Sequence, residues 1–563
     1  MGYGAENLLF VHKLIISYRP FFVNNYDFAL LESNGRQNEN WEKSANIFEK
    51  NFPFVAKACI INLKFRGRSA AAKRGVIPLG NTLKERNLTM LTDFYELSMA
   101  NGYFENGMRD KIAWFDMFFR HVPDDGGFAI MAGIRQLIDY FQNLSFSETD
   151  LALLKKKRMS DEFLDYLRHF SFSCDVWAIP EGTPIFPGEP IVTVRGPVIQ
   201  AQLVETMVLL TINHQSLIAT KANRIKRAAD GRTVMEFGSR RAQGYDGAIY
   251  GARAAYIGGV DATACTLTER DYFVPAVGTM AHSWVQLFGD ELEAFCAYAR
   301  QYPDACTLLV DTYNVLKSGV PNAIEAFRRE VLPRGFRPQG IRIDSGDITY
   351  LSKKARKMLD DAGFPDCKIV ASNSLDETII RDMLIQGAQI DSFGVGERLI
   401  TAASAPVFGG VYKIVAVEEN GVPVPRIKLS ENVTKITTPC AKKVWRLFDN
   451  ETNKAIADVI TLFDETIDDT KPYELFDPVY TWKRKRIENY TAKPLLVKMF
   501  DGGKKIYNVP EIGESRRYCF EQVETLWDEV KRFENPHKYY VDLSQKLWDE
   551  KTRLLDEYSH KGQ

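Results

Sequence analysis

Five short stretches of the chain concentrate side chains suited to phosphate and carboxylate chemistry. In EFGSRRAQG, Arg240 and Arg241 follow a glycine, and paired guanidinium forks match the geometry of phosphate oxygens. VPAVGTMAHSWVQLF places His282 between a short apolar run and a helical segment, where a neutral imidazole can act as nucleophile or proton carrier. GIRIDSGDI holds Arg342, Asp344 and Asp347 within six residues. A basic group there can seat an anionic ring substituent while the carboxylates hold ribose hydroxyls or a metal ion. KIVASNSLDET sets Glu377 three residues after Ser374, the spacing of a capping box, which predicts a helix with free N–H groups at a strand end. IDSFGVGERLIT puts Gly394 and Gly396 where backbone amides can approach an anion. Singly, each stretch also has a plain structural reading: a solvated arginine pair, a structural histidine, an ion-pair network. Together they describe two anion cradles, a basic group for a third anion, carboxylates and one nucleophilic histidine.

The elements that must position these groups are legible from periodicity. Seven apolar runs, TVMEF, DATAC, VPAVG, CTLLVD, GIRIDS, KIVAS and IDSFGVG, alternate with helical segments between Thr233 and Tyr412. Nearly apolar strands separated by helices imply a parallel sheet covered by helices, and seven of them predict a barrel closed on itself. A doubly wound open sheet is the alternative. In a βα barrel the carboxyl ends of the strands converge on one face, and the polar groups above all fall at such ends. NLTMLTDFYELSMANGYFENG reads as a helix entered through Thr92 or Asp93, with Leu97 and Ala100 on its apolar stripe. Residues 174–197 read as short antiparallel strands and turns, and QAQLVETMVLLTINHQSLIATKANRIKRAA as two helices. After Val424 the pattern suits β hairpins, then amphipathic helices in EQVETLWDEVKRFENP and SQKLWDEKTRLLDEYSH. The expected organisation is a flanking domain begun by residues 87–205, a βα barrel over 206–417, and hairpins and helices of 418–563 completing the flanking domain.

Composition bounds the partners. Lys plus Arg number 72 against 73 for Asp plus Glu in 563 residues, so no net field favours nucleic acid or an anionic membrane. The eight cysteines form no C-x-x-C pair, which suits reduced thiols and a cytoplasmic setting. No apolar run approaches the roughly 20 residues of a membrane span. The first 80 residues mix aromatic runs with basic clusters and show little periodicity; they read as an extension of uncertain order, expected from translation starting upstream of the usual site.

MLTDFYELSMANGY, GSRRAQG, GTMAHS, IRIDSGD, the Ser-Asn before a helix, and FGVG followed by GGVYK resemble, in order and spacing, the nicotinate phosphoribosyltransferases over about Asn87 to Val417. The resemblance implies an irregular α/β barrel of the type II phosphoribosyltransferase kind, joined to a flanking domain built from both chain ends, and a homodimer with sites at the subunit boundary. It implies that nicotinate, phosphoribosyl pyrophosphate and ATP are substrates, with ATP as co-substrate and Mg2+ brought by the phosphates. By the same resemblance His282 is the histidine that takes a phosphate from ATP, and Thr279 and Arg342 bind nicotinate, Arg342 facing its carboxylate. Tyr95 and Phe237 flank the pyridine ring, Tyr95 from the other subunit. Arg240 and Arg241 fall near phosphate groups, Ser372, Asn373, Gly394 and Gly396 on the 5′-phosphate side, and Asp344 by the ribose or magnesium. Asp261 matches an aspartate near the pyridine site, its role open. Glu397 departs from the pattern, since a carboxylate beside a phosphate loop repels it unless it turns away or binds metal; the first 80 residues have no counterpart. Nicotinamide phosphoribosyltransferase is the nearest rival, a quinolinate enzyme a more distant one, and a catalytically inactive nucleotide-binding homologue the reading from another class.

Overall fold

The computed structural model describes residues 86–432 and 435–560; the extension over residues 1–80 lies outside them. The site-bearing layer is a parallel sheet. Its six strands run in the order Ala262–Thr263, Thr233–Glu236, Ser392–Val395, Lys368–Ser372, Gly340–Ile343 and Thr307–Leu309. Every neighbouring pair is parallel. Val234, Ile341, Ile343, Ile369, Ala371, Phe393 and Val395 are buried, as expected of strands covered on both faces. Six of the seven apolar runs therefore form strands. The seventh, VPAVG, contributes a single parallel bridge from Ala276 to Thr263.

The expected closed barrel is corrected here, because hydrogen bonding leaves the sheet open between Ala276 and Thr307–Leu309. Pro275 has no N–H to give, and after Val277, whose N–H still reaches Thr263 O at 2.8 Å, the chain turns into the helix His282–Phe288. The segment is thus spent on one neighbour. The open seam is bridged by side chains, since His282 Nδ1 lies 3.1 Å from the Thr312 hydroxyl just beyond the other edge strand.

A seven-stranded antiparallel sheet lies alongside, in the order Val422–Pro425, Val411–Glu419, Ile112–Phe118, Val192–Pro197, Asp175–Ala178, Val497–Asp501 and Lys504–Lys505. It draws strands from widely separated parts of the chain, and Val411–Glu419 pairs with Ile112–Phe118 instead of joining the parallel sheet. A third sheet orders Tyr490–Pro494, Lys442–Asp449, Ala455–Leu462 and Val541–Leu543 around a core of Leu447, Ala457, Val459, Leu475, Ile487 and Tyr490.

The helix Phe94–Glu105 has Asp93 at its N-cap position, but the side-chain bond is made by Thr92, which donates to Glu96 at 2.5 Å. Two helices, Val198–Leu203 and Glu205–Ala228, follow as read from periodicity. The Ser374 capping box is a correction. Asp376 caps the helix Glu377–Ile385 by accepting from Ile379 N, while Glu377 is buried against Lys221 and Arg224 and cannot reach back. EQVETLWDEVKRFENP is also helical only over its first quarter, since the helix Ile512–Glu524 ends before Trp527, whose indole N–H donates to Ala455 O.

Candidate active site

The parallel register brings three strand ends together. Arg342 stands opposite Val370, and Ser372 opposite Gly394, so the arginine, the serine and the glycine emerge on neighbouring strands. Arg342 is the hub. Its Nε donates to Ser372 Oγ at 2.8 Å, its Nη2 to Asp344 Oδ1 at 2.9 Å and its Nη1 to Thr279 Oγ1 at 3.4 Å. Ser372 Oγ donates to the same Asp344 oxygen. The guanidinium carbon lies 5.6 Å from the centre of the Phe237 ring, within cation–π range. Held by one carboxylate and two hydroxyls, a guanidinium keeps N–H bonds to spare for a further anion.

Phe237 owes its place to a glycine. A Cβ on Gly394 would come within 2.5 Å of the Phe237 ring, so only Gly394 lets the ring lie over that strand. The Phe237 N–H donates to Val395 O at 2.8 Å, which anchors the backbone beneath it. Phe237, Arg342 and Thr279 therefore frame one half-buried recess.

His282 opens its helix on the other side of Asp344. Its Nδ1 is 3.1 Å from Thr312 Oγ1, and its Nε2 lies 3.9 Å from Asp311 Oδ1 and 4.0 Å from Asp344 Oδ2. Asp344 thus touches both groups. Asp311 is almost wholly enclosed, its side chain 1% exposed; Ser345 donates to its Oδ2 at 2.5 Å, and its Oδ1 has no hydrogen-bond partner. That unpartnered carboxylate oxygen is the one nearest the His282 ring. Asp311 and Thr312 were not singled out from sequence, although they directly follow the run CTLLV, the strand-end position where such groups collect.

The remaining expected residues are more exposed. Arg240 and Arg241 lie on the exposed turn Ser239–Arg241, and Arg241 Nε faces Glu397 at 3.7 Å. Glu397 therefore turns toward an arginine, which offsets the repulsion expected of it. Asn373 and Ser374 follow Ser372 with φ of 96° and 46°, consecutive left-handed residues that cost strain at a functional edge. Gly396 precedes the short helix Glu397–Ile400. Asp347 is a helix cap, accepting from Tyr350 N at 3.0 Å, so its carboxylate is engaged away from Arg342.

Two expected residues are not joined to this cluster. Tyr95 is 45% exposed beside exposed Leu91, Phe94 and Met99, with its phenol near the Glu205 carboxylate. Asp261 precedes its strand and so stands at the opposite end of the sheet. There it accepts from Lys226 at 2.7 Å, from Arg516 at 2.5 Å and from Val234 N at 2.8 Å, the role of a structural clamp. No group of three or more metal-ligating side chains occurs among the described residues.

Three family profiles match in succession: the nicotinate phosphoribosyltransferase N-terminal domain over residues 90–213, the nicotinate phosphoribosyltransferase family over 233–453, and its C-terminal domain over 441–551. The chain is 43% identical over 475 residues to the nicotinate phosphoribosyltransferase of Bacillus subtilis, covering 84% of this chain and 96% of that protein. The crystal structure of human nicotinic acid phosphoribosyltransferase superposes with a TM-score of 0.73 at 28% identity, covering 82% of this chain and 99% of the other. The nicotinate-nucleotide pyrophosphorylase of Pyrococcus furiosus, at 24% identity and a TM-score of 0.59, covering 81% of this chain and 99% of the other, shares the fold.

Proposed function

The chain belongs to the nicotinate phosphoribosyltransferase family, and from that premise we propose how its own residues carry out the condensation of nicotinate with phosphoribosyl pyrophosphate to nicotinate mononucleotide and pyrophosphate. The observation that carries the reading is the recess of Phe237, Arg342 and Thr279 beside His282. Nicotinate lies on the Phe237 ring with its carboxylate toward the spare N–H groups of Arg342. Its ring nitrogen attacks C1 of the ribose as the bond to pyrophosphate breaks, through a transition state with positive charge on the sugar. Asp344 stands near the ribose, and the exposed Arg240 and Arg241 face the phosphates that leave. Backbone amides of Asn373, Gly394 and Gly396, with Ser372, receive the 5′-phosphate.

The carboxylates of Asp344 and Asp311 are the protein oxygens that would meet a magnesium ion carried by the pyrophosphate, and the charge neutralisation such an ion supplies would aid departure of that group. ATP is the co-substrate. The γ-phosphoryl group passes to a ring nitrogen of His282 with release of ADP, and hydrolysis of that N–P bond draws an otherwise weakly favourable condensation forward. The Asp311 carboxylate and the Thr312 hydroxyl, one beside each ring nitrogen, fix the ring's orientation.

The architecture belongs to the same reading: an α/β core of the type II phosphoribosyltransferase kind within 206–417, its parallel sheet open at one seam, with 87–205 and 418–563 forming the flanking domain that the strand Val411–Glu419 joins. The protein acts in the cytoplasm as a homodimer, and Tyr95 on its exposed aromatic face serves the partner's pyridine recess. No described helix is long and apolar enough to cross a membrane. The coupling is tested by following mononucleotide formation with and without ATP in wild type and His282→Ala, with γ-labelled ATP alongside. An ATP stimulation and an acid-labile protein label, both absent from the variant, support the scheme; a label that persists in His282→Ala overturns it.

A further inference from the structure

Glu236 ends the strand Thr233–Glu236 and is fully buried. No cation lies within ion-pair distance of it among the described residues, although a buried carboxylate without a positive partner is costly to keep. Instead its two oxygens tie two strand ends together. One accepts from the Gly238 N–H within its own turn, and the other accepts from Thr263 Oγ1 at 2.6 Å on the neighbouring strand. Thr263 Oγ1 in turn accepts from Cys265 N at 3.0 Å, so the turns after both strands hang on one carboxyl group. Gly238 has no room for a side chain: a Cβ there would lie 2.6 Å from Ile400 Cβ and 2.7 Å from Glu236 Oε1. Between Glu236 and Gly238 stands Phe237, whose ring is confined by Gly394 below and faces Arg342.

We infer that Glu236 and Thr263 are positioning residues that set the height and tilt of the Phe237 shelf, and with it the affinity for the pyridine substrate. The inference rests on the reading that nicotinate lies on Phe237. Burial pushes the Glu236 carboxyl above the usual carboxylate range, against the hydrogen bonds from Thr263 and Gly238 that pull it down. Both arms of the clamp survive in either protonation state, because the threonine hydroxyl can donate to a carboxylate or accept from a carboxylic acid. Glutamine preserves the same pattern. Methionine and valine, at the two positions, keep the volume and delete it.

The test is steady-state kinetics with both substrates varied in Glu236→Met, Glu236→Gln, Thr263→Val, Thr263→Ser and Phe237→Leu, each with a melting curve. The expected result is that Thr263→Val and Glu236→Met raise KM for nicotinate about tenfold, the loss of one to two buried hydrogen bonds to the shelf. KM for phosphoribosyl pyrophosphate stays within about twofold, and Glu236→Gln and Thr263→Ser return near wild type. Should Glu236→Met fail to fold, the Thr263 pair decides alone. An unchanged nicotinate KM in a folded Thr263→Val, or equal rises for both substrates, overturns the inference if Phe237→Leu does raise the nicotinate KM. If Phe237→Leu leaves it unchanged, the placement of nicotinate on Phe237 fails instead.

Discussion

Replacing Arg342 by methionine removes the fork while keeping most of the side-chain volume. In the structure the guanidinium spends one N–H on Ser372 at 2.8 Å, one on Asp344 at 2.9 Å and one on Thr279 at 3.4 Å, and the remaining donors are left for a further anion. A charged donor pairing with a carboxylate is worth about 1.5 to 3 kcal/mol. At about 1.4 kcal/mol per tenfold, the upper figure gives a fall in kcat/KM for nicotinate of about 150-fold. Lysine restores the charge without the paired geometry, so Arg342→Lys recovers about half of that free energy and falls about tenfold. The assay is initial-rate formation of mononucleotide from nicotinate and, in parallel, from nicotinamide, whose ring substituent carries no charge. The nicotinamide rate, however small, changes far less than the nicotinate rate in Arg342→Met. Equal losses on the two bases would refute the role of Arg342 as the carboxylate's partner, since removing Asp344's cation would then account for everything.

Gly394→Ala places a methyl group within 2.5 Å of the Phe237 ring; overpacking of that kind costs about 1 to 3 kcal/mol, so both the melting temperature and the nicotinate kcat/KM should fall, and a variant with wild-type values would contradict the packing described. Burial pushes the Glu96 carboxyl up to about 7 from its ordinary 4.5, so the folded state keeps a proton that the unfolded state has lost. That stabilisation is complete below about pH 4.5 and disappears as pH rises through about 7; Glu96→Gln should flatten part of the fall in melting temperature between those values, while Asp542, also raised to about 7 by burial, contributes a parallel fall that the variant leaves in place. Identical pH profiles for variant and wild type would refute it.

Much of the site is legible in the sequence because strand-end chemistry is local. Gly-Ser-Arg-Arg and His282 follow apolar runs and Arg342 with Asp344 stands at the end of one, and parallel pairing brings such ends together whatever the details of closure. Longer-range choices are less legible. Ser374 and Glu377 satisfy the capping-box spacing, but Lys221 and Arg224, some 150 positions earlier, claim Glu377 in the core, and the nearer Asp376 takes the cap. VPAVG has the composition of a full strand, yet Pro275 and the helix beginning at His282 restrict it to one bridge and leave the seam open. Asp261 has the right residue type for a site and stands at the wrong end of its strand, a difference of a few residues that decides between catalysis and an ion-pair clamp. Asp311 carries a positional signal, standing directly after the run CTLLV, whereas Glu236 carries none, because what distinguishes it is burial without a cationic partner, and that depends on every neighbour at once.

The central claim is tested most directly by incubating the full chain with magnesium and phosphoribosyl pyrophosphate, offering nicotinate and nicotinamide in equal concentration, and resolving the two mononucleotides by mass. Nicotinate mononucleotide as the dominant product is the predicted result. Product mainly from nicotinamide would assign the recess to the neutral base, and no product from either would make the chain a nucleotide-binding homologue without catalysis.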